Sequence, residues 1–210
     1  VNENTNTKLL RIDLRNPDFT GLTHNIFMDF RTATLTGTYD SATDLTTFTI
    51  PYSLNQILKA VDSTNGADLS IDSSSSKGNH IKAVFGSTYL SEYKFSTPYL
   101  REASGNGTVA LTSGRYQIRQ VSVDYQNSGF FKATVTQEGR SDVDYEFNGT
   151  VINSASAVIG QPNITSGTYN IPIQSRNTHY TCTLKSDSHL PVHFVSAELE
   201  GFYHRRSGRA

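Results

Sequence analysis

Residues 114–137 read GRYQIRQVSVDYQNSGFFKATVTQ, and the alternation in this stretch decides the fold. Tyr116 and Ile118 occupy even positions, whereas Val121, Val123 and Tyr125 are odd. Successive strand residues point to opposite faces, so one inward row can contain both sets only if an extra residue re-phases the pleat. A β-bulge is therefore expected at Arg119 and Gln120. Asn127, Ser128 and Gly129 then supply a turn, after which Phe131, Ala133 and Val135 resume an inward row. Two alternating runs separated by so short a turn predict an antiparallel hairpin.

The same period recurs along the chain. TATLTGTY places Ala33, Leu35 and Gly37 on one face, YDSATD is rich in turn-formers, and LTTFTIPY resumes a strand. Residues 31–52 thus read as a hairpin with a long loop. Asp40 and Asp44 are better explained as turn residues bonding the backbone than as calcium ligands. SLNQILKAV is the one helix candidate: Ser53 and Gln56 have capping-box spacing, and Leu54, Ile57, Leu58 and Val61 fall on one helical face. A strand through ILKAV competes with it. SIDSSSSKGN reads as a flexible loop and a candidate boundary. Later, TYNIPIQS, HYTCTLKSD and PVHFVSAELEGFY are strands bounded by Gly, Ser, Asn or Pro, and Pro172 marks its strand as an edge or as irregular. The expected class is all-β and antiparallel, with a sandwich- or barrel-like domain over residues 87–210 and a smaller hairpin-rich β segment over residues 1–86.

Composition narrows the function. The 210 residues carry 18 Lys and Arg against 19 Asp and Glu, a net charge of −1, which argues against a dedicated nucleic-acid binder. Charged residues (18%) and hydrophobics (36%) are both scarce, and Ser, Thr, Asn and Gly fill the gap, a mix that recurs in turn-rich extracellular and virion proteins. Cys182 is the only cysteine, so no intramolecular disulfide forms, and its alternation with Tyr180 and Leu184 reads as a buried structural thiol. No apolar run is long enough for a membrane helix. The opening VNENTNTKLL has neither an initiator Met nor a signal-peptide core, as expected of a fragment of a longer chain.

Few residues invite chemistry. Asp142, Asp144 and Glu146 alternate and would share a strand face, the raw material of a metal site or a glycosidase pair. A solvated face, with a nearby counter-ion, explains them more simply, and the chain has no Trp to serve as a sugar platform. His189 and His193 lack further ligands for zinc, and His179 and Cys182 would face opposite sides of a strand. KSDSHL lacks the elbow a nucleophilic Ser requires. GNGT and NSG are turns rather than phosphate-cradling loops. No catalytic, cofactor-binding or metal-ligating residue is assigned, and no cofactor is expected. The ending, FVSAELEGFYHRRSGRA, groups Arg205, Arg206 and Arg209 with His204. A solvated tail, a phosphate contact and burial at a subunit interface all stay open on the residues alone.

SDSHLPVHFVSAELEGFYHRRSGRA, YKFSTPYLRE, GRYQIRQVSVDYQNSGFFKATVT and YDSATDLTTFTIPY together resemble the tail nozzle family, also called tail tubular protein B, of short-tailed autographivirus-type bacteriophages. The likeness covers most of residues 24–210 and is strongest from residue 92 onward. It departs where Leu199 stands, since a Trp is expected there. The resemblance implies a structural, non-enzymatic part of the virion tail. Its subunits would form a homohexameric ring that contacts the adaptor (tail tubular protein A), the tail fibres and the host envelope, and through which phage DNA passes. It also implies that residues 87–210 are the platform domain, and that a core strand ending in an arginine clamp meets a neighbour through Phe202, Tyr203, Arg205, Arg206 and Arg209. Two other readings compete on the residues: a carbohydrate- or receptor-binding β-sandwich, and an envelope polysaccharide hydrolase using Asp142, Asp144 or Glu146.

Overall fold

The computed structural model describes residues 22, 24–51, 59–72, 74–149 and 160–205. Every regular element among them is a β-strand, all pairings are antiparallel, and no sheet closes into a barrel. The chain divides into two compact units, Val1–Thr88 and Tyr89–Ala210.

The first unit contains β1 (Leu35–Thr36), β2 (Thr38–Asp40), β3 (Leu45–Thr47), β4 (Lys59–Asp62), β5 (Asp68–Leu69), β6 (Ile71–Asp72), β7 (Ser75–Lys77) and β8 (Lys82–Gly86). They form two four-stranded sheets, ordered β1-β8-β4-β5 and β2-β3-β7-β6. Phe48, Ala60, Leu69, Ala83 and Phe85 make the core, with Phe48 edge-on to Phe85 at 5.2 Å between centroids. The expected hairpin is real but shorter, since β2 pairs β3 while β1 pairs β8 in the other sheet. Gly37 sits at this crossing. A Cβ there would lie 2.7 Å from the His80 carbonyl oxygen and 2.8 Å from the Phe48 ring. Asp40 does serve the turn: its carboxylate accepts from the Ala42 N–H and the Thr43 hydroxyl, each at 2.9 Å, and these bonds hold its pKa down. The Asp44 carboxylate instead accepts from the Tyr39 hydroxyl.

One open alternative is decided in this unit in favour of the strand, and one expectation fails. Lys59–Asp62 is strand, not the end of a helix, because Ala60 and Val61 are buried between β5 and β8. Residues 53–58 of the candidate helix lie outside the described residues. The Ser-rich SIDSSSSKGN is not a loop: β6 and β7 run through it, and β7 pairs β3. Ser76 is buried there, small enough to pack where composition suggested solvent.

The second unit contains β9 (Ser91–Lys94), β10 (Arg101–Ser104), β11 (Gly107–Ala110), β12 (Gly114–Ser128), β13 (Phe131–Gln137), β14 (Val143–Phe147), β15 (Thr165–Arg176), β16 (Tyr180–Ser186) and β17 (Phe194–Arg205). One sheet is ordered β15-β12-β17 and another β14-β13-β16-β9; β10 and β11 pair only with each other among the described residues. Ile118, Val121, Val123, Ile171 and Ile173 from the first sheet meet Ala133, Val135, Tyr180, Cys182 and Leu184 from the second, a sandwich core. Each fully buried Val, Ile or Leu among them stabilises the fold by about 1.5–3 kcal/mol. The bulge lies where the alternation put it: β12 shifts register between Ile118 and Gln120 against both neighbours. β15, which carries Pro172, is an edge strand.

The hairpin expected of β12 and β13 does not form. Both edges of β12 are taken by β15 and β17, while β13 lies between β14 and β16. The turn carries the chain across the sandwich instead of back alongside. Asn127 has φ +47°, the Ser128 hydroxyl donates to the Gln126 carbonyl and accepts from the His193 N–H, and the Gly129 N–H donates to the Pro191 carbonyl. Inward rows on both strands satisfy a hairpin and a cross-sheet arch equally, because alternation fixes the buried face and not the hydrogen-bonded neighbour.

Candidate assembly surface at the C-terminal strand

β17 is held on one side only. It pairs β12 from Gly114↔Arg205 to Tyr125↔Phe194 and pairs no other strand among the described residues. Directly opposed residues share a face, so Phe194, Ala197, Leu199, Gly201 and Tyr203 line the inner row, opposite Tyr125, Val123, Val121, Ile118 and Tyr116. Ser196, Glu198, Glu200, Phe202 and His204 line the outer row. This strand is not the core strand expected from the sequence: ten of its twelve residues are exposed, including Leu199 (41%) and Phe202 (59%). Mixed polar and apolar neighbours gave it a strand period, but most of its inner row is exposed, whereas the other edge strand, β15, buries Ile171 and Ile173.

Side chains on the outer face fix its register. Asp124 on β12 accepts from Thr168 Oγ1 on β15 and from Ser196 Oγ on β17, both at 2.6 Å, tying the three strands together. The Ser196 and Thr168 bonds favour the carboxylate and hold its pKa below the usual range. At the bulge, Glu200 receives Arg119 Nη1 at 3.1 Å and Gln120 Nε2 at 2.8 Å. Gly201 sits against the bulged backbone, where a Cβ would meet the Gln117 carbonyl oxygen and lie 3.1 Å from Ile118 Cα. The Tyr203 ring occupies the space a side chain at Gly114 would need. At the far end of the sheet Phe131 packs edge-on against Phe194 at 5.2 Å. Arg205 is exposed at the end of the strand; Arg206 and Arg209 lie outside the described residues. Phe202 and Arg205 therefore present themselves to solvent, and Tyr203 is half-buried.

Chemistry elsewhere is quenched. Asp144 on β14 accepts from Thr134 Oγ1 at 2.8 Å and pairs with Lys132 Nζ at 3.1 Å. Thr134 and Lys132 lower its pKa, and Asp144 in turn raises that of Lys132. Lys132 is thus the counter-ion for the acidic strand, and the shift is opposite to that of a glycosidase acid. Val143 on the other face is exposed, whereas Phe147 is buried. Cys182 is fully buried, and burial pushes its thiol up to about 11, leaving it protonated. His179 pairs with Glu138, and His189 is buried while His193 is exposed. Among the described residues no three His, Cys, Asp or Glu side chains gather as metal ligands.

Sequence reasoning missed one surface feature, the hairpin β10–β11. Its GNGT was read as a turn alone. The two-residue Gly105-Asn106 turn, flanked by weakly apolar residues, was the available signal for a hairpin with no core beneath it.

The family model for the bacteriophage nozzle protein matches residues 1–210. A stretch of 116 residues is 29% identical to the tail tubular protein gp12 of Escherichia phage T7, covering 55% of this chain and 14% of that protein. The match therefore spans only about one seventh of that relative's length.

Proposed function

The chain belongs to the bacteriophage nozzle protein family, a structural component of the phage tail, and from that membership we propose that it is a subunit of a ring lining the channel for genome ejection. The ring is hexameric, stacks on an adaptor ring, and carries tail fibres at its periphery, with residues 87–210 as the platform. Assembly is the task of the C-terminal strand: Phe202, Tyr203, Arg205, Arg206 and Arg209 meet a neighbouring subunit or the adaptor. The observation that carries this reading is the exposure of β17, a twelve-residue strand with one edge unpaired among the described residues and apolar residues open on both rows. Interfaces favour such aromatic and Arg side chains.

The reading is of a non-enzymatic protein. Asp144 is neutralised by Lys132 and poised as a base weaker than usual, and the one thiol is protonated. A near-neutral chain also suits a conduit, since many phosphate contacts would add up and stall passing DNA. The mass of the chain in solution, alone and with the purified adaptor, tests the assignment. Arg205→Ala with Arg206→Ala is expected to weaken ring assembly while the monomer's circular dichroism is unchanged. Undiminished assembly in that variant removes the arginines from the interface.

A further inference from the structure

We infer that Asn106, at the tip of the β10–β11 hairpin, is a site of spontaneous covalent modification, its carboxamide converting to aspartate and isoaspartate through a cyclic imide formed with Gly107. This chemistry is independent of the assembly reading.

The reaction needs only the chain and water. The Gly107 nitrogen gives its proton to solvent base and attacks Cγ of Asn106. A C–N bond forms, the Cγ–Nδ2 bond breaks, and ammonia leaves. Water then adds to one of the two imide carbonyls and the ring opens, to aspartate or, where the main chain is rerouted through Cγ, to isoaspartate. Nothing is oxidised or reduced. A following Gly favours closure because it has no Cβ to shield its nitrogen. Beyond that, the nitrogen must be released from any hydrogen bond, the carboxamide must turn over it, and the backbone between them must bend.

The chain has three Asn-Gly steps, at 65–66, 106–107 and 148–149, and the fold leaves these freedoms to one of them. Asn65 Oδ1 accepts from the Ala67 N–H at 2.9 Å, the Gly66 N–H donates to the Asp62 carbonyl at 2.8 Å, and Gly66 is buried. Asn148 is exposed, but Gly149 is buried at φ +68°. The Gly149 carbonyl accepts from Asn163 Nδ2 at 2.7 Å, and a Cβ on Gly149 would strike the Asn163 carbonyl oxygen. Its peptide is clamped from both sides.

At the hairpin tip Gly105, Asn106 and Gly107 are all exposed. Gly105 takes φ +58° as the first central residue of a two-residue turn. A Cβ there would meet nothing within 4 Å, and one on Gly107 only the Ser104 carbonyl oxygen at 4.0 Å. The Asn106 carboxamide has no hydrogen-bond partner among the described residues. The Gly107 backbone is held by its rung with Ser104, in a hairpin whose eight strand residues are all exposed and which pairs no other strand among the described residues. A lone two-stranded hairpin is marginally stable in water, so this rung opens easily and frees the nitrogen.

Conversion changes the turn in charge and in length. Either product adds one negative charge, taking the chain from −1 to −2. Isoaspartate also adds a main-chain carbon, so a turn that spans two residues no longer closes the Ser104↔Gly107 rung.

Peptide mapping by mass spectrometry on the 210-residue chain, aged in mildly alkaline buffer with and without denaturant, tests this. In the native chain residue 106 should acquire the mass of an acid in place of an amide about tenfold or more faster than residues 65 and 148, and its peptide should split into two isomers. In denaturant the three residues should convert at similar rates. Gly107→Ala, where a Cβ finds room, should remove most of the conversion at 106 with the circular dichroism unchanged. The assignment is overturned if native residue 106 converts no faster than residues 65 and 148, if the same ranking persists in denaturant, or if Gly107→Ala converts like the wild type.

Discussion

Phe131→Ala offers the sharpest check on how the sandwich is held. Phe131 is fully buried, stacks on Phe147 at 4.7 Å, and touches Tyr125, Tyr169 and Phe194 at 5.7, 5.4 and 5.2 Å between centroids. Those partners come from β12, β14, β15 and β17, so one ring bridges both sheets. Truncating a buried Phe costs about 3–5 kcal/mol, and the four ring contacts place this site near the upper end, at about 4 kcal/mol. A domain of this size has about 5–15 kcal/mol in total. With a urea m-value of about 2 kcal/mol/M, the midpoint should fall by about 2 M at unchanged m. Tyr fluorescence serves as the probe, since the chain has no Trp and most tyrosines lie beyond Thr88. The comparison is Phe194→Ala, which removes a side chain 38% exposed and one ring contact, and should cost about 1 kcal/mol. A Phe131→Ala loss below about 1.5 kcal/mol, or equal losses for the two variants, would mean that the cluster is not what joins the sheets.

Cys182 should resist alkylation at pH 8 in the native chain and react at once in denaturant. Because burial raises its pKa from 9.0 to about 11, the fold keeps this contribution below pH 9 and loses it as pH climbs toward 11; stability rising over that interval would contradict the assignment. Gly201→Ala should cost about 1–3 kcal/mol and loosen β17 from the bulge, seen as faster amide exchange over residues 194–205. Unaltered exchange there would show that the backbone approach at Gly201 is not tight.

What the sequence disclosed follows from what alternation encodes. The inward rows of β12, β13 and β16, the bulge at Arg119, the buried Cys182 and the edge character of the Pro172 strand are all local properties of the pleat, and all were legible. Strand partnership is not local. β12 and β13 carry compatible rows, so nothing in their residues distinguished a hairpin from a crossing between sheets; the pairing was decided by β15 and β17, which arrive some 40 and 70 residues later. Composition misled at SIDSSSSKGN, because β3 and β6 give Ser76 a small-residue slot. The helical spacing through Val61 was also real in the letters, yet burial between two strands overrode it for residues 59–62. The C-terminal residues proposed for assembly came from resemblance, while the exposure of Phe202 and Arg205 came only from the fold.

The bulge at Arg119 sits in the middle strand, and the pairing with both flanking strands shifts register there. Dropping a single codon between 121 and 125 would throw the inward residues on either side of the gap out of phase, with β15 and β17 each left out of step. Exchange of one letter for another is cheap along much of this ribbon, but a change of length is not. Descendants of this chain should therefore drift in spelling while keeping a constant count from Gly114 to Tyr125.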